Sequence, residues 1–156
     1  ESSSAQSIEW YTPKWVFEKL NTQFDIDVCT VKGGIEYIPA KKHFSKEDDG
    51  LKQEWEGSVW CNPPYGKEAA IWLDKFVEHK NGIALVFART DTTWFHRIVP
   101  NVDAVLFLKG RIQFIDGVNS SNKSGSTCGS MLLAFGKNNV EAISKLDGYL
   151  IKKEGV

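Results

Sequence analysis

The sequence predicts an α/β domain built on a mainly parallel sheet with an antiparallel edge. Three observations carry that expectation. Short apolar runs of strand length alternate along the chain with stretches whose apolar residues recur at helical spacing. The run Ile83-Ala84-Leu85-Val86-Phe87-Ala88 has no polar alternate position, the pattern of a strand covered on both faces and placed at a sheet's centre. Polar residues also collect just beyond several predicted strands, where open α/β sheets bind their ligands.

Composition narrows the class. The 156 residues, 42% hydrophobic and 12% aromatic, suit a single domain over residues 10–156, with the polar, Ser-rich residues 1–9 read as a flexible tail. Nineteen basic and twenty acidic residues leave a formal charge of −1, so a contact with nucleic acid has to be a local patch. Cys29, Cys61 and Cys128 are odd in number and without a CxxC pair, which predicts reduced thiols. His43, His79 and His96 lack metal-ligand spacing, so no metal is expected. No apolar run reaches membrane-span length and the first residues lack a signal-peptide layout, so no membrane association and a cytoplasmic location are expected.

Thr12-Pro13 opens the first element, with Thr12 as cap and Pro13 at the first helical position of a helix to about Leu20. Phe24 to Cys29 alternates apolar and acidic residues, a strand that carries Asp27 near its end. From Thr30 to Gly57 the pattern is weak and mostly irregular chain is expected: turns at Val31 to Gly34 and at Asp48-Asp49-Gly50, and a short strand at Glu36 to Ile38. Val59-Trp60-Cys61 is a strand that ends in the loop Asn62-Pro63-Pro64-Tyr65-Gly66. Two prolines fix φ there and remove backbone donors, leaving the Asn62 amide and nearby carbonyls free to accept.

Ala69, Ala70, Trp72, Leu73, Phe76 and Val77 trace an amphipathic helix stopped at Asn81-Gly82, with Trp72 and Phe76 in the core. Beyond the central strand, Arg89 to Thr93 caps a helix through Trp94, Phe95, Ile98 and Val99 that Pro100 ends. Val102 to Leu108 reads as a strand, Gly110 to Phe114 as its antiparallel partner, and Asp116 to Ser126 as a long exposed loop. Ser130 to Phe135 is the last predicted strand, followed by a closing helix that Asn138 caps.

Three polar sets fall at predicted strand ends and should converge on one cleft: Asp27-Cys29-Thr30, Asn62 to Tyr65, and Arg89-Thr90-Asp91. A carboxylate there can hold a ribose hydroxyl pair, an amide and a carbonyl can accept from an amino group, and Tyr65 can stack on a planar base. Asp48 and Asp49 read as turn residues first.

Asn62-Pro63-Pro64-Tyr65 resembles the (D/N/S)-P-P-(Y/F/W) motif of S-adenosylmethionine-dependent amino methyltransferases. The flanking residues Trp10-Tyr11-Thr12-Pro13, Asp27-Val28-Cys29, Asp48-Asp49-Gly50-Leu51, Trp55, and Ala88-Arg89-Thr90-Asp91 are similar to those of phage-type DNA N6-adenine methyltransferases. The resemblance covers roughly residues 10 to 136 and implies a Rossmann-like methyltransferase domain, abbreviated after its first strand.

It also implies roles. Asn62 and the Pro63 carbonyl would accept the hydrogens of the adenine amino group, in a loop stiffened by Pro64, and Tyr65 would stack on the flipped base. Tyr11, Thr12, Pro13, Asp27, Cys29 and Asn62 would contact the cofactor. Arg89, Lys109 and Arg111, with Tyr65, would meet DNA. Where most such enzymes have a Gly-x-Gly turn, Val28-Cys29-Thr30 follows instead, so the resemblance leaves the holder of the methionine portion unassigned. A phage or prophage protein acting in a bacterial host cell is implied.

Cytosine N4 methylation uses similar amine chemistry, and a catalytically silent DNA-binding accessory domain would explain the missing glycine turn. Cytosine C5 chemistry is disfavoured because no cysteine follows a proline. Target choice would fall to the loops Thr30 to Gly57 and Asp116 to Ser126. The sequence leaves the oligomeric state open.

Overall fold

A computed structural model of the protein describes residues 10–121, 123–125 and 128–156; residues 1–9, where the tail is predicted, and residues 122, 126 and 127 lie outside that description. The chain runs β1 (Trp10–Tyr11), α1 (Lys14–Leu20), β2 (Phe24–Thr30), β3 (Ala40–Ser45), β4 (Val59–Cys61), α2 (Lys67–His79), β5 (Gly82–Phe87) and α3 (Thr93–Ile98). A short 3-10 turn, Val99–Asn101, leads to β6 (Ala104–Leu108), β7 (Gln113–Asp116), β8 (Lys123–Gly125), β9 (Ser130–Phe135), α4 (Lys137–Ser144) and β10 (Gly148–Lys152).

Seven of these strands form the main sheet in the order β10-β6-β9-β5-β4-β2-β3. The four from β3 to β5 are parallel neighbours, while β9 runs antiparallel to both β5 and β6, and β10 antiparallel to β6. The apolar run at β5 is the middle strand, as expected. Its Ile83 and Leu85 join the core beneath α1 and α4, and its Ala84 and Val86 join the core beneath α2 and α3. Trp72 and Phe76 of α2 are buried, as their helical spacing predicts.

Several local expectations are corrected. Ala40–Ser45, inside the stretch expected to be irregular, is a strand, whereas Glu36 and Tyr37 lie in a turn. It forms because β2 supplies a parallel ladder from Phe24↔Ala40 to Thr30↔Ser45, a partner that local pattern does not announce. Gly110 and its neighbours do not pair with β6. Gln113–Asp116 instead joins β1 and β8 in a separate three-stranded antiparallel sheet, so the loop expected from Asp116 onward contains a strand. Helix α2 ends at Lys80, held in the left-handed region at φ 62°, and not at Asn81-Gly82. Pro13 is the N-cap of α1, whose end makes no side-chain capping bond, so the Thr12 hydroxyl is left for another partner. Thr92 does cap α3, accepting from the Phe95 N–H.

Candidate active site

The chain leaves β2 for β3 on one side and returns to β4 on the other, so the strand order reverses between β2 and β4. Strands whose connections diverge in this way open a crevice outside their carboxyl ends. A cleft of about 870 Å³ lies there, with Asp27, Cys29 and Thr30 from the end of β2, Asn62 to Tyr65 beyond β4, and Tyr11 and Thr12 from the segment ahead of α1 all lining it. Two of the three predicted polar sets thus meet.

Asn62 is fixed by one end of its amide. Its Nδ2 donates to Thr12 Oγ1 at 3.0 Å, and Thr12 is itself held by the Tyr37 hydroxyl, which donates to the Thr12 carbonyl at 2.5 Å. The other end, Asn62 Oδ1, is buried and has no partner. A buried acceptor left open is costly, and sites that keep one usually bind a donor there.

A register shift in β2 builds the second polar pair. Asp27 lies opposite His43 and Thr30 opposite Ser45, so β2 carries one more residue than β3 over this span. The extra residue turns an odd spacing into a same-side one, bringing the Thr30 side chain to the Asp27 carboxyl. Burial raises the Asp27 pKa to about 7, and the Cys29 backbone N–H and the Thr30 side chain pull it back only in part. Thr30 is near enough to favour the charge but not at hydrogen-bonding geometry: Asp27 Oδ1 and Thr30 Oγ1 are both buried without a partner.

The turn after β3 closes the cleft's other wall with Ser45, Lys46, Asp49 and Leu51. Gly50 makes this possible, since a Cβ on it would lie 2.1 Å from the Val28 carbonyl and against Trp72. Trp55 pins the turn by donating from Nε1 to the Gly50 carbonyl at 2.9 Å and stacking on Trp72, and Lys75 Nζ donates to the Leu51 carbonyl at 2.8 Å. Asp48 is the turn residue expected, accepting from the Ser45 N–H at 2.9 Å. Asp49, with φ 55°, faces the cleft and lies 3.7 Å from Lys52. Sequence reasoning missed this wall because it missed β3; recognising that strand would have put its carboxyl end beside those of β2 and β4.

Tyr65 stacks on Phe87 with centroids 4.3 Å apart and planes 10° from parallel, and Phe114 meets it edge-on at 6.2 Å. Tyr65 is nonetheless 44% exposed, with Phe87 backing one face of its ring. The third polar set does not reach the cleft. Arg89 lies 5.6 Å over the Phe87 ring, outside the lining residues, and among the described residues it makes no ion pair with Asp91. Lys109 and Arg111 flank the exposed turn after β6, also outside the cleft, and Pro13 is buried and does not line it.

Burial, with the Asp27 and Glu68 carboxyls nearby, pushes the Cys29 thiol up to about 12, and burial holds Cys61 well above its ordinary range. Neither is a thiolate at neutral pH, so neither offers the nucleophile that cytosine C5 chemistry needs. Among the described residues no group of His, Cys, Asp or Glu could hold a metal ion, and no helix is long and apolar enough to cross a membrane.

A sheet whose order reverses at a cleft, with a proline-stiffened loop that sets an unpartnered amide oxygen beside an aromatic ring, is consistent with a Rossmann-like methyltransferase. The family follows from the whole chain: residues 2–154 match the DNA N-6-adenine-methyltransferase (Dam) family, and the protein belongs to it. Membership gives the activity, methylation of the N6 amino group of adenine in DNA rather than of cytosine N4. No curated protein and no solved structure matches the chain significantly.

Proposed function

We propose that the protein transfers the methyl group of S-adenosylmethionine to adenine N6 with the adenine flipped into the cleft at Asn62-Pro63-Pro64-Tyr65. The observation that carries this reading is Asn62 Oδ1, a buried acceptor with no partner whose amide is anchored at its other end. Asn62 Oδ1 and the Pro63 carbonyl accept the two amino hydrogens, which draws the nitrogen lone pair out of ring conjugation. Neutral acceptors suit that task, because they raise electron density on nitrogen without removing a proton beforehand. Tyr65 receives the base on its open face while Phe87 backs the other. The energy of unpairing the base is offset in part by that stacking.

The donor side fits the same cleft. Asp27 Oδ1 and Thr30 Oγ1 are unpartnered and buried at the end of β2, and Asp49 faces the cleft from the turn after β3, so the lining offers acceptors and a hydroxyl to a ligand rich in donors. S-adenosylmethionine supplies an electrophilic methyl group when bound. The protein's part is to align the amine with it and exclude water, with no covalent enzyme intermediate. Tyr11 and Cys29 complete the donor-side lining. Arg89, Lys109 and Arg111 lie outside the cleft and contact the DNA backbone beyond the flipped base.

Incubation with labelled S-adenosylmethionine and unmethylated DNA, followed by digestion to nucleosides, tests this reading. N6-methyladenine is the expected product. A folded sample that labels no DNA and releases no heat on titration with the cofactor would refute it.

A further inference from the structure

We infer that Thr12 is a positioning residue for the transfer: its hydroxyl engages the amide nitrogen of Asn62 and so keeps Oδ1 presented to the target amine. The inference rests on the reading that Asn62 Oδ1 accepts that amine. A carboxamide has two ends of nearly equal size and opposite chemistry, and rotation by half a turn would set an N–H2 group against the amino group it must bind. The substrate amine, a donor, selects the orientation that turns Oδ1 to it, and a hydroxyl at the far end of the amide, which can accept as well as donate, holds that orientation by accepting from Nδ2. There the structure places Thr12 Oγ1, 3.0 Å from Nδ2, on a residue only 2% exposed.

The hydroxyl is available because α1 does not use it: Pro13 caps that helix and no side chain bonds its first turn. Thr12 is held from two sides. The Tyr37 hydroxyl bonds its carbonyl, and the preceding residues Trp10 and Tyr11 are paired with Asp116 and Ile115. With no acceptor at position 12, the orientation that presents Oδ1 strands Nδ2 in a buried site, a cost that falls on the productive state.

Thr12→Val, which keeps the shape and removes the acceptor, is expected to lower kcat roughly 10- to 100-fold while the dissociation constant for S-adenosylhomocysteine stays within about threefold. Thr12→Ser should restore kcat to within about threefold of wild type. Tyr37→Phe should lower kcat by only about two- to fivefold, since it loosens the support and leaves the bond. In 1H–15N spectra the Asn62 side-chain NH2 pair should be resolved and exchange-protected in wild type and in Thr12→Ser, and lose that protection in Thr12→Val. The inference is overturned if Thr12→Val keeps wild-type kcat, if Thr12→Ser is as impaired as Thr12→Val, if cofactor binding falls as far as kcat, or if the NH2 protection survives in Thr12→Val. A wild-type protein that methylates no DNA would refute the function above instead, and the NH2 signal would still report on the bond.

Discussion

From β3 to β5 the strands run parallel and their carboxyl ends fall along one edge; from β9 to β10 direction alternates, and each edge receives a mixture of strand starts and ends. Each of the two core clusters draws on both halves, yet the unpartnered groups Asp27 Oδ1, Thr30 Oγ1 and Asn62 Oδ1 all stand on the parallel side. Ser130 Oγ, also unpartnered, sits at the seam opposite Phe87. The antiparallel side is packing: Met131, Leu132, Leu133 and Ala134 of β9 are each 0% exposed. Strand direction therefore sets where unpartnered polar groups collect, while both halves contribute to packing.

The strongest way to break that division is Asn62→Ala. Loss of the acceptor should lower kcat on the order of 10³-fold while cofactor binding changes by no more than about threefold. Titration calorimetry beside a turnover assay checks both, and an active variant would deny the amide its role. On the other half, Leu132→Ala should destabilise by about 3 kcal/mol through the cavity it leaves, read from urea unfolding, with turnover per folded molecule unchanged. Lost turnover in folded protein would mean that the halves are not separable.

Asp27 sharpens the comparison, because there the parallel half keeps a buried carboxyl at a cost in stability. Its pKa rises from 3.8 to about 7 on folding, so between those values the folded state holds a proton that the unfolded chain has released. Its contribution is intact below about pH 4, falls as pH rises towards 7 and stays lost above that. Asp27→Asn should accordingly stabilise the ligand-free protein at pH 8 by about 2 kcal/mol, less than the full shift implies because the amide accepts the Cys29 N–H less well. The same variant should weaken cofactor binding. Thermal unfolding at pH 5 and pH 8 tests the sign, since the gain should largely vanish at the lower value. The smallest effect is expected at Tyr65→Phe, where kcat/KM should stay within about twofold because in the proposed function the ring and not the hydroxyl meets the base, whereas Tyr65→Ala should forfeit about 1–3 kcal/mol of stacking.

How much could be read from sequence follows the same physics. The β5 strand was legible because burial on both faces writes an uninterrupted apolar run, and the Asn62 to Tyr65 loop because two prolines and an amide leave few other readings. Edge strands were not. In β3, Lys41, Lys42 and His43 are exposed, and in β10 Tyr149 and Ile151 are exposed, so neither carries the pattern of a buried strand. Their pairing is set by β2 and β6, which no local window contains. For the same reason Asp49 read as a turn residue and its place on the cleft wall was missed. Thr12 read as a helix cap because Thr-Pro ahead of a helix is that signal; its bond to Asn62 spans 50 residues of sequence. Arg89 follows β5 as predicted, but the Phe87 ring takes it away from the cleft.

The small sheet that holds Trp10 and Tyr11 against Asp116 and Ile115 sets an order of assembly. Synthesis proceeds from the N-terminus, so Asn62 and the ends of β2 and β4 leave the ribosome well before the strand that anchors the segment ahead of Thr12. The contact from Trp10 to Asp116 closes a long loop, as do that of α1 with α4 and the pairing of β5 with β9, so all of them wait on the C-terminal half of the chain. Catalytic competence on refolding should therefore require the seating of residues 10–12, because the Asn62 amide has its Thr12 partner only once that segment is in place.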